Sequence, residues 1–147
     1  MDRAIYELVN NSTLVAAISS WILAQLIKFG LGILLEGDFD LTRLTSSGGM
    51  PSGHAALVSA VAAGIAREHG FSSSEFAMSL VLALIVMYDA AGVRQAVGIQ
   101  AQMMNDILHD SYHGSGFTPV KIKEILGHTP VEVIAGAVLG LAVSILV

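Results

Sequence analysis

Two histidines in this sequence stand where apolar segments begin, and their types and spacing could do chemistry. His54 ends the run PSGH at residues 51–54, and His128 lies two residues before Pro130. A pair of histidines suits a reaction in which one ring attacks and the other transfers a proton, although the spacing does not assign the two roles. Glu132 follows His128 by four residues and is placed to hold its imidazole by the second nitrogen, as the acid of a catalytic triad does.

The residues around the histidines predict that the reacting group is an anion, and phosphate in particular. The start of a helix presents unpaired backbone N–H groups and positive dipole character to a ligand. Ser52 adds a hydroxyl group, and Gly53 allows a ligand to approach the backbone closely. Cations that would pair with a phosphate are supplied by Lys28, Arg43 and Arg94.

The protein that positions these side chains has the amino-acid composition of a membrane protein. Of the 147 residues, 54% are hydrophobic and only 13% are charged, against about a quarter charged in soluble domains. The mean hydropathy is +0.70. The net charge of −5 gives no reason to expect a nucleic-acid partner, and the lack of cysteine excludes disulfides and a thiolate zinc site.

Four apolar segments predict an all-α fold, a polytopic membrane helical bundle in which residues 1–147 form a single domain. Such segments cross a hydrocarbon core of about 30 Å at 1.5 Å per residue. Small residues in the second segment and Gly136-x-x-x-Gly140 in the fourth favour close helix contacts. The four predicted spans are Thr13–Leu35, Pro51–Ala66, Phe76–Val93 and Pro130–Val147.

Shorter features are expected around these spans. The third helix is predicted to continue past Arg94, and a short interfacial helix to run from Pro119 to Gly127. Ser72 is predicted to begin the third span with a capping box, and Thr129 to cap the fourth.

The number of predicted membrane crossings places the polar groups at one face of the membrane. The long loops at residues 36–50 and 94–129 emerge on the same side, where both histidines lie. Lys28, Asp89 and Glu132 lie at the same end of their helices. Because ionisable residues within membrane spans are costly, their convergence indicates a functional site.

Two motifs carry a family resemblance. Residues 50–55, Met-Pro-Ser-Gly-His-Ala, resemble the PSGH motif of the phosphatidic acid phosphatase type 2 and vanadium haloperoxidase superfamily. Residues 127–136, GHTPVEVIAG, resemble its final motif, in which a nucleophilic histidine is followed four residues later by an aspartate. The resemblance runs from about Lys28 to Gly140 and is closest to the divergent bacterial and plant branch.

The resemblance implies an integral membrane lipid phosphate phosphatase that hydrolyses a phosphomonoester or diphosphate through a phosphohistidine, without metal or cofactor. His128 would attack phosphorus, Glu132 would orient it, and His54 would protonate the leaving alkoxide. The phosphate oxygens would be bound by Ser52 and Gly53, with Lys28, Arg43 and Arg94 around them.

The sequence departs from the family pattern mainly among the cations. The family places Arg-Pro shortly after its lysine, whereas Lys28 and Arg43 are far apart and Arg43 precedes Leu44. The Ser-Arg expected upstream of the nucleophile is missing, and the candidates to replace that arginine are Arg94, Lys121 and Lys123. Glutamate replaces the usual aspartate.

Other interpretations remain open at this point. A non-catalytic membrane protein of the same fold could bind an anionic lipid or a protein partner, and a bundle built around Lys28, Asp89 and Glu132 could conduct ions. Locally, Glu132 could serve only a capping box, Lys28 could reach the headgroups without catalytic duty, and Asp89 could pair with Arg94.

The sequence also predicts the orientation of the protein in the membrane and its oligomeric state. The excess of lysine and arginine on the histidine-bearing face predicts that this face is cytoplasmic. Four spans are fewer than the six-helix core that the resemblance implies, so a homo-oligomer is expected to complete the bundle. A lipid phosphate in the membrane is the expected substrate.

Overall fold

The described part of the chain is built from helices and contains no strand. A computed structural model describes residues 3–37, 39, 41, 48–112 and 127–147, without the side chains of residues 36, 94–95 and 109–112. The helices are α1 (Arg3–Val9), α2 (Ser12–Glu36), α3 (Gly53–His69), α4 (Ser74–Ala91), α5 (Val93–Tyr112) and α6 (Pro130–Leu146).

Side-chain caps fix where the long helices begin. Asn11 accepts a hydrogen bond from the N–H of Leu14 at the start of α2. Ser73, not the predicted Ser72, caps α4 by accepting from the N–H of Phe76 at 3.1 Å. These caps satisfy N–H groups that have no partner within the first turn.

The centre of the bundle is α3, which packs against α2, α4 and α6. Its buried positions are almost all small, so neighbouring backbones approach closely. A Cβ atom at Gly136 would overlap the carbonyl oxygen of Ser52, and one at Gly140 would overlap that of Ala56. The predicted contact role of the Gly136-x-x-x-Gly140 motif is therefore confirmed. On the α2 side, the Ser20 hydroxyl donates to the Ala56 carbonyl at 3.1 Å.

Two stretches of the described chain are long and apolar enough to cross a membrane, Ser12–Leu35 and Ser74–Leu108. The apolar helix α6 is shorter, with 17 residues. The second stretch crosses from α4 into α5, which continues past Arg94 as a separate helix, and Gly92 lies between the two. Of the described helices, α5 packs only against α4. The predicted helix from Pro119 lies in residues 113–126, outside the described residues, and the count of four spans stays a prediction.

Candidate active site

The first turn of α6 fixes one histidine ring. His128 immediately precedes the capping residue Thr129, and its Nδ1 lies 2.9 Å from Oε2 of Glu132. The same oxygen accepts the N–H of Thr129 at 3.2 Å, while the Thr129 hydroxyl accepts from the N–H of Glu132. Glu132 therefore completes the capping box and holds the imidazole at once, so the two interpretations of this carboxylate are compatible.

The other nitrogen of this ring has no partner among the described residues. His128 is 1% exposed, and its Nε2 makes no hydrogen bond with any described residue. Its backbone is fixed as well, since the N–H donates to the Ala90 carbonyl of α4 at 3.0 Å. A buried polar atom left unpaired is costly, and this cost is removed when a ligand or a covalent bond occupies Nε2.

The second histidine faces the first. The ring centroids of His54 and His128 are 6.4 Å apart with an angle of 64° between the planes, which is an edge-to-face arrangement. His54 lies in the first turn of α3 and is half-buried. Two helix starts therefore bring both rings within reach of one small ligand, as the sequence predicts.

The PSGH loop is attached directly to α6. Ser52 is fully buried, and its N–H donates to the carbonyl oxygen of Glu132 at 2.9 Å. Its hydroxyl oxygen caps α3 by accepting from the N–H of Ala55 at 3.4 Å, which leaves the hydroxyl proton able to donate to an anion. Gly53 turns its Cα toward α2, where an added Cβ would meet Trp21 at 3.1 Å.

Among the predicted cations, Lys28 is the one whose side chain the structure describes, and it lies beside this site. It is only 5% exposed, the backbone of Gly49 packs on its methylene groups, and its charge interacts with that of Glu132. Arg43 and the side chain of Arg94 lie outside the described part, as do Lys121 and Lys123. The predicted pair between Asp89 and Arg94 is therefore untested, and the described side chain of Asp89 is half-buried near the end of α4.

One polar residue beside the site escaped the sequence-based prediction. Gln25 is 9% exposed, and its Oε1 has no partner among the described residues. Its Nε2 would lie 3.4 Å from a Cβ at Gly53, so the amide abuts the PSGH loop. The signal was available, because Gln25 and Lys28 are three residues apart in an apolar helix and so share one face.

The described helices carry two histidines, a carboxylate and a buried lysine at one end, which defines a helical protein with a cluster of ionisable side chains at that end. The comparisons with known proteins agree with this class: the chain belongs to the divergent PAP2 family, whose sequence model matches residues 9–143. It is also 37% identical over 150 aligned residues to the uncharacterized membrane protein YuiD of Bacillus subtilis (strain 168), covering 95% of each chain. No solved structure gives a significant match.

Proposed function

We propose that this protein is an integral membrane phosphatase that removes a phosphoryl group from a lipid phosphomonoester or diphosphate. The observation that carries this proposal is the state of His128, whose Nδ1 is held by Glu132 while its buried Nε2 has no described partner. A ring fixed in this way presents a lone pair at Nε2, because the hydrogen on the imidazole is retained at Nδ1 by the carboxylate. Membership of the divergent PAP2 family supports the same assignment.

The reaction has two steps that follow from the proposed roles. Nε2 of His128 forms a bond to phosphorus as the bond from phosphorus to the lipid oxygen breaks, and protonated His54 gives its proton to that oxygen. Neutral His54 then takes a proton from water, whose oxygen attacks phosphorus as the N–P bond breaks. Inorganic phosphate leaves, and both rings return to their starting states.

The remaining groups of the site would stabilise charge. Lys28 would balance the negative charge on the phosphoryl oxygens, and the Ser52 hydroxyl would donate to one of them. Glu132 would stabilise the positive charge that develops on the His128 ring. Of these groups, Lys28 and Ser52 are buried in the described structure, where electrostatic effects are strongest.

We also propose a multi-pass placement with the histidine end of the bundle facing the cytoplasm. The relative from Bacillus subtilis is named a membrane protein, and two helical stretches are long and apolar enough to span. The short helices α3 and α6 would cross inside the bundle, next to α2 and α4. The bias of lysine and arginine toward the histidine end supports the cytoplasmic orientation.

A second candidate is a non-catalytic protein of this family that binds an anionic lipid. It is favoured by the packing of Gly53 against Trp21, which uses for helix contact a glycine that the resemblance assigns to phosphate. Such a protein would bind a lipid phosphate and leave it intact.

Phosphate release from purified protein in detergent separates these candidates. The substrates would be phosphatidic acid, phosphatidylglycerophosphate and a polyprenyl diphosphate, each with the wild type and with His128→Ala. Release that requires His128 supports the phosphatase. Binding of the lipids without release from any of them would support the second candidate and contradict the first.

A further inference from the structure

An apolar cleft lies in the half of the bundle away from the histidines. Its floor is α3, its walls are α4 and α6, and its volume is about 470 Å³. Ligand clefts commonly fall between about 300 and 1,000 Å³. Among the described residues that line it, only Ser59 and Arg67 have polar side chains, and Ser59 is engaged with the sulfur of Met87 at 3.9 Å.

The cleft is closed toward the active site and reaches the opposite end of the bundle. Ala55, Ala90 and Val133 pack together between the histidines and the upper end of the cleft at Ser59. From Ser59 the cleft follows α3 to Arg67, a rise of about 12 Å at 1.5 Å per residue. A lipid whose phosphate lies at His128 would therefore not place its chain here without displacing that cluster.

The single charged group among the described lining residues lies at the far end of the cleft. Arg67 is exposed in the last turn of α3 and donates a hydrogen bond to the carbonyl oxygen of Ser144. This hydrogen-bond partner is a neutral backbone group, so it does not cancel the positive charge, which also interacts through space with the carboxylate of Glu68. Neighbouring Glu68 is directed to α2, where it accepts from the hydroxyls of Ser12 and Thr13.

We propose that the cleft is a second lipid site, which binds an anionic phospholipid of the leaflet opposite to the histidines. One acyl chain lies between α4 and α6, and the headgroup phosphate pairs with Arg67. A helix is a poorer occupant, because a cylinder about 10 Å across takes up about 900 Å³ over this length, roughly twice the volume of the cleft. The inference depends on the membrane placement proposed above but not on phosphatase activity.

The test is retention of lipid by the purified full-length chain, read by native mass spectrometry with equimolar phosphatidylglycerol and phosphatidylcholine. The wild type is expected to retain phosphatidylglycerol several-fold more than phosphatidylcholine. Ala63→Phe fills the cleft and is expected to lower retention about tenfold, which corresponds to about 1.4 kcal/mol. Ala142→Phe makes the same change on the exposed face of α6, outside the cleft, and should leave retention unchanged.

The role of the Arg67 charge and the folding of the cleft-filling variants are tested separately. Arg67→Gln should abolish the preference for phosphatidylglycerol, and Arg67→Lys should keep most of it. If Ala63→Phe does not fold, Ala137→Phe fills the same cleft from α6. Equal retention of both lipids by the wild type, or undiminished retention by a folded cleft-filling variant, would overturn the proposal. A dimer that excludes lipid and dissociates with Ala63→Phe would also overturn it, since the occupant would then be a second copy of the chain.

Discussion

The backbone N–H of Ser52 donates a hydrogen bond to the carbonyl oxygen of Glu132 at 2.9 Å. This bond joins the PSGH loop to the first turn of α6, so the two motifs with catalytic potential move as one unit. The contact at Gly136, where a Cβ would overlap the Ser52 carbonyl, fixes the same pair of backbones one turn further along. The facing positions of His54 and His128 follow from these backbone contacts.

Glu132 has two structural duties, and substitution can separate them. Glu132→Gln keeps a side chain that suits the capping box but removes the charge that holds the His128 ring. We expect phosphate release to fall by about two to four orders of magnitude, with a melting temperature close to that of the wild type. Glu132→Ala, the comparison variant, should lose both activity and thermal stability. Full activity in the glutamine variant would reduce Glu132 to a helix cap.

His54 is expected to act on the leaving group. His54→Ala should slow formation of the phosphoenzyme by about 10²–10⁴-fold for lipid alcohols, because an alkoxide needs a proton to depart. The loss should be much smaller with a nitrophenyl phosphate, whose leaving group is stable as an anion. Single-turnover measurements on both substrates provide the check. Equal losses on the two substrates would argue against the acid role.

Glycine contacts between α3 and α6 should carry much of the bundle's stability. Gly140→Ala forces a methyl group against the Ala56 carbonyl and should destabilise the protein by about 1–3 kcal/mol. Gly30→Ala is the matched control within α2, where an added Cβ meets no atom within 4 Å; it should be neutral or stabilising by up to about 1 kcal/mol. Thermal unfolding in one detergent compares them. Equal effects would show that the close contact is not stabilising.

Orientation and the crossing of α3 can be tested together, since the chain has no cysteine of its own. Leu41→Cys lies on the exposed connection before α3, and Ser72→Cys on the exposed connection after it. In intact cells an impermeant maleimide should label Ser72→Cys and spare Leu41→Cys, and permeabilised cells should show both. The reverse pattern would put the histidine end outside. Labelling of both in intact cells would show that α3 does not cross.

Local sequence signals predicted the features that depend on neighbouring residues. The Thr129 cap with Glu132 in the first turn of α6 is formed as expected, since such a motif depends only on side chains within one turn. The predicted cap of α4 was wrong by one residue. Ser72 and Ser73 offer the same hydroxyl group, and only the backbone geometry selects Ser73. The break at Gly92 also depends on local backbone angles that the sequence does not specify.

Features that depend on distant contacts were harder to predict. Lys28 was expected near the histidines, but its burial under Gly49 depends on a contact with a residue far along the chain. Gln25 was overlooked although its three-residue spacing from Lys28 places both side chains on one face of α2, because that spacing does not show which loop the amide contacts. The placements expected for the side chains of Arg43 and Arg94 stay predictions, because neither side chain belongs to the described part of the chain.

The most direct test of the account is identification of a phosphohistidine at His128. Purified protein would be mixed with a ³²P-labelled lipid phosphate, quenched in alkali, digested and analysed for the modified peptide. We expect an acid-labile, base-stable phosphate on His128, no such label in His128→Ala, and turnover in that variant reduced by about three orders of magnitude or more. Normal turnover by His128→Ala, or a phosphate trapped on any other residue, would contradict the proposed mechanism.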